Sequence, residues 1–76
     1  MAALLRPIKG REVLRKLKKA GFEIGRIKGS AYYLRHPLTG RFTSVHIHGN
    51  RDIPLGTLRA IVIDQAGLSP KEFNTL

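Results

Sequence analysis

The chain has 76 residues, and its 14 Lys and Arg outnumber five Asp and Glu, so its formal net charge is +9. This length predicts a single domain over residues 1–76 and excludes a multidomain enzyme. A chain of this size buries only about 60% of the surface that its unfolded form exposes, which argues against a large internal substrate cavity. The positive charge favours a polyanionic partner: nucleic acid first, an acidic protein second and an anionic membrane surface third.

The positive charge is concentrated in the first part of the chain. Residues 1–30 contain nine Lys or Arg and two acids, residues 31–50 add two Arg and no acid, and residues 51–76 are neutral. We therefore expect the first half to form the partner surface. The sequence has no Cys and no apolar run near the ~20 residues that span a bilayer. It also has no secretory signal pattern, so we expect a cytoplasmic protein that does not enter a membrane.

The first predicted element is a basic amphipathic helix over residues 9–20. Apolar residues recur at helical spacing: Val13, Leu14, Leu17 and Ala20. Gly21 suits a left-handed cap at the end of this helix. A basic amphipathic helix can also bind membranes, but the strand signals that follow favour packing on a sheet.

An antiparallel meander of three strands is predicted next. Residues 22–28 begin with apolar and polar residues in strict alternation, and the alternation shifts at Gly25, which permits a β-bulge. The remaining segments are a turn at Gly29 and Ser30, a strand over 31–36, a turn over 37–40 and a strand over 41–48.

Alternation also predicts which side chains of the second and third strands share a face of the sheet. One face of the second strand carries Tyr32, Leu34 and His36, and the other carries Ala31, Tyr33 and Arg35. One face of the third strand carries Phe42, Ser44, His46 and His48, and the other carries Thr43, Val45 and Ile47. The register between these strands does not follow from the pattern, so the residues that lie opposite each other stay open.

Helical signals return after Gly49 and Asn50. Pro54 suits the first turn of a second helix that ends at Gly67, with apolar positions at Leu55, Leu58, Ile61, Val62 and Ala66. Ser69, Pro70 and Glu72 form a capping-box pattern that begins one more short helix. The predicted fold class is therefore α+β: a helix, a three-stranded antiparallel sheet, a helix and a short C-terminal helix, with both main helices on one face of the sheet.

The pattern gives little support to metal or hydrolase chemistry. His46 and His48 share a strand face, but no Cys or nearby carboxylate completes a metal site, so we expect no metal and no cofactor. The acids are scattered, and no phosphate-binding glycine loop or nucleophile elbow is present.

The first predicted hairpin is suited to nucleic acid. Arg26 and Lys28 can neutralise phosphates, the backbone and hydroxyl of Gly29 and Ser30 can donate hydrogen bonds to them, and the ring of Tyr32 or Tyr33 can stack on a base. Because the two tyrosines point to opposite faces, we expect one of them to lie in the core.

Several short motifs together resemble one known family. They are Lys28-Gly29-Ser30, Arg35-His36-Pro37, Val45-His46-Ile47-His48-Gly49-Asn50, Gly56-Thr57-Leu58-Arg59 and Gln65-Ala66-Gly67-Leu68. In this order and spacing they resemble the HicA family, the small mRNA-cleaving toxins of bacterial toxin–antitoxin systems. The resemblance covers residues 10–68. It implies a fold like that of double-stranded-RNA-binding domains, metal-independent endoribonuclease activity on mRNA, and a HicB-like antitoxin that covers the active site.

One position departs from the family pattern. The family turn reads Gly-Ser-His, and its histidine is catalytic, whereas this chain reads Gly29-Ser30-Ala31. An imidazole can move protons near neutral pH and a methyl group cannot. The resemblance therefore implies that this chain binds RNA but is catalytically impaired.

The resemblance completes the set of candidate site residues. The catalytic position is Ala31, and His48, which matches a family histidine, is a second candidate. The RNA-binding candidates are Arg26, Lys28, Gly29, Ser30, Tyr32 and Arg35. The alternative functions are a non-catalytic RNA-binding module of the same fold and, third, a structural partner of an acidic protein.

Overall fold

A computed structural model describes residues 4–76 of the chain. Its elements in chain order are α1 (Gly10–Lys19), β1 (Glu23–Lys28), β2 (Ala31–Arg35), β3 (Phe42–His46), α2 (Leu55–Arg59), a π-helical turn called here the π-turn (Ala60–Gln65) and α3 (Pro70–Asn74). This order confirms the predicted α+β class, with a helix before the sheet and helices after it.

The three strands form one antiparallel sheet in the order β1-β2-β3. The register between β1 and β2 shifts between Ile24 and Arg26, at the bulge that the alternation permits at Gly25. Strand β3 ends at His46, two residues earlier than the alternation predicts, because the chain leaves the ladder after Ile47 donates a backbone hydrogen bond to Ser30 at 2.9 Å.

One face of the sheet, called here the covered face, packs against the helices. Its buried side chains Leu34, Thr43 and Val45 are at most 1% exposed. They meet a core built from α1, α2, the π-turn and α3: Val13, Leu17, Leu58, Ile61, Val62, Ala66 and Phe73. The other face, called here the open face, is mostly exposed among the described residues. Alternation and register place on it Glu23, Arg26, Lys28, Ala31, Tyr33, Arg35, Phe42, Ser44 and His46.

The second helix differs from the sequence-based prediction in its second half. The pattern predicts an ordinary α-helix up to Gly67, whereas residues Ala60–Gln65 form a π-helical turn. The amide of Ala66 accordingly donates to the carbonyl of Ile61, five residues back, at 2.8 Å. The wider turn lets Ile61 and Ala66 both reach the core, with exposed fractions of 4% and 5%, although a spacing of five residues would separate them on an α-helix.

The short C-terminal helix begins with the predicted capping box. The side chain of Ser69 accepts from the Glu72 amide at 3.1 Å, and the Glu72 carboxylate accepts from the Ser69 amide at 3.0 Å. Phe73 of this helix is 1% exposed and closes the core. In the described part of the chain, no helix is both long enough and apolar enough to cross a membrane.

Candidate nucleic-acid interface

The turn between β1 and β2 consists of two residues, Gly29 and Ser30, because Lys28 and Ala31 pair across it. Gly29 has a φ of +59°, which a glycine at the first position of a two-residue hairpin turn adopts without strain. Gly29, Ser30 and Lys28 are all exposed. The turn therefore presents a cation, a hydroxyl and a bare stretch of backbone to solvent.

The register that the sequence left open brings position 31 opposite a histidine. Ala31 of β2 is the cross-strand partner of His46 of β3 on the open face. His46 is exposed, and its ring lies parallel to that of His48, at 7°, with 6.3 Å between the centroids. Ala31 itself is only 6% exposed. The imidazole of His46 thus lies opposite the position where the family pattern has a histidine, and that of His48 stacks against it.

The two tyrosines of β2 lie on opposite faces, as alternation predicts. Tyr32 lies on the covered face and packs against the core, half-buried. Tyr33 lies on the open face between its cross-strand partners Arg26 and Ser44. Of the two rings, the one available to a ligand of the open face is Tyr33.

The candidate cations of the sheet are not paired with acids. Arg26, Lys28 and Arg35 are exposed on the open face, and within residues 4–76 the one ion pair joins Arg15 to Glu12 on α1. The hydrogen bond from Arg15 holds the pKa of the Glu12 carboxyl below its ordinary value. The sheet cations are therefore free to meet an anionic ligand.

His36 has a structural role, as its position before Pro37 suggests. Its Nδ1 accepts from the backbone amides of Leu38 and Thr39 at 3.2 and 3.3 Å. Its Nε2 lies 3.2 Å from the carbonyl oxygen of Ala20 and donates to it in the tautomer that these contacts require. The ring is thus held at the far end of β2 from Ala31, which separates it from the candidate site.

The start of α1 lies close to the end of β3. A Cβ added at Gly10 would be 3.1 Å from Cγ1 of Ile47 and 3.2 Å from the carbonyl oxygen of His46. Arg11 hydrogen-bonds the side chain of Asn50. The basic N-terminal turn of α1 therefore borders the same end of the sheet as the Gly29 turn.

A groove runs along the free edge of β3 towards α2. It is lined on the strand side by Ser44 and His46 and on the helix side by Thr57 and Gln65, and Arg51 and Asp52 also line it. The Gln65 side chain accepts a hydrogen bond from the buried Thr43 hydroxyl, which fixes the π-turn against the strand. No group of three His, Asp or Glu side chains in the described residues is arranged to hold a metal ion.

Comparison with known protein families identifies this arrangement. Residues 10–68 match the family model described as HicA toxin of bacterial toxin–antitoxin. That range begins at α1 and ends after the π-turn, so it includes the hairpin turn, Ala31, His46 and His48. No curated protein sequence matches the chain at a significant level.

Proposed function

Since the chain belongs to the HicA toxin family of bacterial toxin–antitoxin systems, we propose that it is a toxin that acts on mRNA in the cytoplasm as a metal-independent endoribonuclease. The observation that carries this proposal is the open-face site, where the exposed turn and unpaired cations surround position 31. A HicB-like antitoxin inhibits the toxin by covering this site.

The proposed cleavage transfers the RNA backbone onto its own 2′-oxygen. The 2′-oxygen attacks the adjacent phosphorus as its proton leaves to a base, and the 5′-oxygen departs as it takes up a proton from an acid. Lys28 and Arg26 neutralise the phosphate, and the exposed backbone at Gly29 and Ser30 contacts its oxygens. These groups bind and polarise the phosphate, but none of them is an imidazole that could serve as the general acid or base.

Position 31 determines how fast this step proceeds. Ala31 offers no group that can accept or donate a proton, so this chain cleaves poorly as written. Loss of a general acid or base lowers the rate of cleavage by about 10²–10⁴-fold. The remaining imidazole nearest to that position is that of His46, its cross-strand partner, and His48 stacks against it. We assign the residual proton transfer to His46.

The test is to place an imidazole at position 31. Ala31→His is expected to cleave RNA in EDTA about 10²–10⁴-fold faster than the chain as written. It is also expected to arrest growth when expressed without an antitoxin, because exposed mRNA is then cut. Ala31→Gln is the matched control, since it adds a polar side chain of similar size that does not titrate. Circular dichroism shows whether the three proteins share one fold.

The same experiment decides between this function and the alternative. Ala31 itself favours the alternative of a non-catalytic RNA-binding protein, because such a protein needs no proton-transfer group. Equal cleavage by the chain as written and by Ala31→His contradicts the catalytic assignment of position 31. Binding of RNA without cleavage by either protein supports the non-catalytic alternative.

A further inference from the structure

The open face of the sheet carries an aromatic pair that the proposed cleavage step does not use. The rings of Tyr33 and Phe42 are 6.1 Å apart between centroids and 20° from parallel. The two residues are diagonal neighbours, since Tyr33 lies opposite Ser44 and Phe42 lies opposite Arg35. Phe42 is 56% exposed, whereas most phenylalanine side chains are buried in the core. The pair therefore offers aromatic surface to a ligand.

Two arginines flank these rings. Arg26 is the cross-strand partner of Tyr33 and Arg35 that of Phe42. All four residues line one shallow groove, together with Gly25 of the bulge. Neither guanidinium group forms an ion pair within the part of the chain that the structure describes. The groove thus combines an aromatic platform with two available cations.

We infer that this groove is a stacking site for an unpaired nucleobase, which makes single-stranded RNA the substrate class. Every base has a π-face that stacks on aromatic rings, and flanking arginines neutralise the neighbouring phosphates. The bases of a duplex are stacked on one another and paired, so they cannot lie flat on a protein surface. This inference rests on the proposed RNA-cleaving function and deepens it.

The groove lies next to the proposed cleavage position. Tyr33 is two residues from Ala31 on the same strand and the same face, a separation of about 7 Å along the strand. A base held on Tyr33 and Phe42 therefore belongs to a nucleotide close to the phosphate at position 31. The stacking site consequently selects mRNA segments that are unpaired beside the cleaved bond.

The charge of the open face fits RNA as the occupant of this groove. The open face carries the three cations Arg26, Lys28 and Arg35 and one acid, Glu23, opposite Arg35. This excess of positive charge complements a phosphate backbone on both sides of the stacked base. The alternative occupant, an antitoxin segment, is an outcome that the experiment below distinguishes.

A fluorescence reporter tests the contact directly. The chain has no Trp, so Phe42→Trp introduces a single indole and keeps an aromatic plane in the groove. We expect its fluorescence to be quenched by a single-stranded 2′-O-methyl oligonucleotide and much less by the corresponding duplex. Leu38→Trp is the control, because Leu38 is 90% exposed in the turn between β2 and β3. Equal quenching at both positions overturns the inference.

Affinity measurements separate stacking from charge. Phe42→Leu, which keeps an apolar side chain without a π-face, is expected to bind the single strand about tenfold more weakly. It should bind an abasic oligonucleotide of the same length and charge as well as the unchanged protein does, and Phe42→Trp should retain full binding. An equal loss for both oligonucleotides, or no loss, overturns the inference.

Two further comparisons complete the test. If Phe42→Leu weakens only antitoxin binding, the groove is a protein interface and the inference fails. Because 2′-O-methyl oligonucleotides cannot be cleaved, the binding result is independent of catalysis. The proposed function is judged separately, by cleavage with the Ala31→His variant. Circular dichroism and thermal unfolding verify that the Phe42 variants fold.

Discussion

Ala31 and His46 lie directly opposite each other on the open face of the sheet. The Cβ atoms of such cross-strand partners are about 4.5–5.5 Å apart, so imidazoles at these two positions can reach the same phosphate. Acid–base cleavage needs one group to remove a proton and another to supply one. We therefore expect a histidine at position 31 to act together with His46, as base and acid.

The first prediction concerns this pair. In the Ala31→His variant, additional replacement of His46 by Asn is expected to lower kcat for RNA cleavage by about 100-fold. His48→Asn in the same background is the matched comparison, because His48 stacks on His46 but lies beyond the end of β3. Single-turnover cleavage at saturating protein measures the effect. Equal losses for the two substitutions would show that position 46 has no special role.

The second prediction concerns the cations at the hairpin. Replacing Arg26 and Lys28 together by Ala is expected to weaken RNA binding and to reduce the salt dependence of log K by about one for each lost phosphate contact. Binding titrations between low and high salt give both quantities. The control is the replacement of Lys18 and Lys19 by Ala. These residues are exposed on α1, so the control removes the same amount of charge at a place outside the sheet. A comparable loss of the slope in both double variants contradicts the hairpin as the phosphate-binding site.

The third prediction concerns the antitoxin. If it covers the open face, it competes with RNA for Arg26, Lys28 and Tyr33, because one surface cannot hold both ligands. At a low RNA concentration, RNA should therefore displace no more than a small fraction of the bound antitoxin. When the antitoxin is in excess, RNA should be excluded from the toxin. Fluorescence anisotropy of labelled RNA measures this exclusion. Formation of a ternary complex with both partners tightly bound refutes occlusion.

The fourth prediction concerns the stability of the far turn. His36→Ala removes the acceptor for the Leu38 and Thr39 amides and the contact with the Ala20 carbonyl. We expect the free energy of unfolding to fall by about 1–3 kcal/mol, as measured by urea denaturation. Leu38→Ala in the same turn is the control and should change it by less than about 0.5 kcal/mol, because its side chain is exposed. RNA binding by the folded His36→Ala protein should be unchanged.

The fifth prediction concerns pH and α3. Hydrogen bonds from the amide and the side chain of Ser69 hold the pKa of Glu72 below its ordinary value of 4.5. Because the pKa is lower in the folded state, the ionised carboxylate stabilises the fold at pH values above the ordinary pKa. This stabilisation is lost as the pH falls through the pKa of the folded state. Glu72→Gln should therefore be less stable than the unchanged protein at neutral pH and equally stable in acid. Thermal unfolding at several pH values tests this, and a difference that persists in acid contradicts it.

Much of the fold was predictable because its signals are local. The alternation in residues 31–36 places Leu34 and Tyr33 on opposite faces, the slip at Gly25 marks the bulge, and Ser69 with Glu72 marks the start of α3. Each of these signals depends on the stereochemistry of a few consecutive residues. The π-turn at Ala60–Gln65 was not predictable in this way. It arises from the fit of Ile61 and Ala66 to a core formed by distant segments.

The amino-acid sequence by itself determined the class of fold, the basic surface of the first half and the absence of a titratable group at position 31. Only the tertiary structure decided that His46 lies opposite Ala31 and that Tyr33 and Phe42 share one groove. The physical reason is the register of the strands. A shift of one residue would turn every side chain of β3 to the other face, and the observed register is the one in which Val45 and Thr43 are buried against the helices.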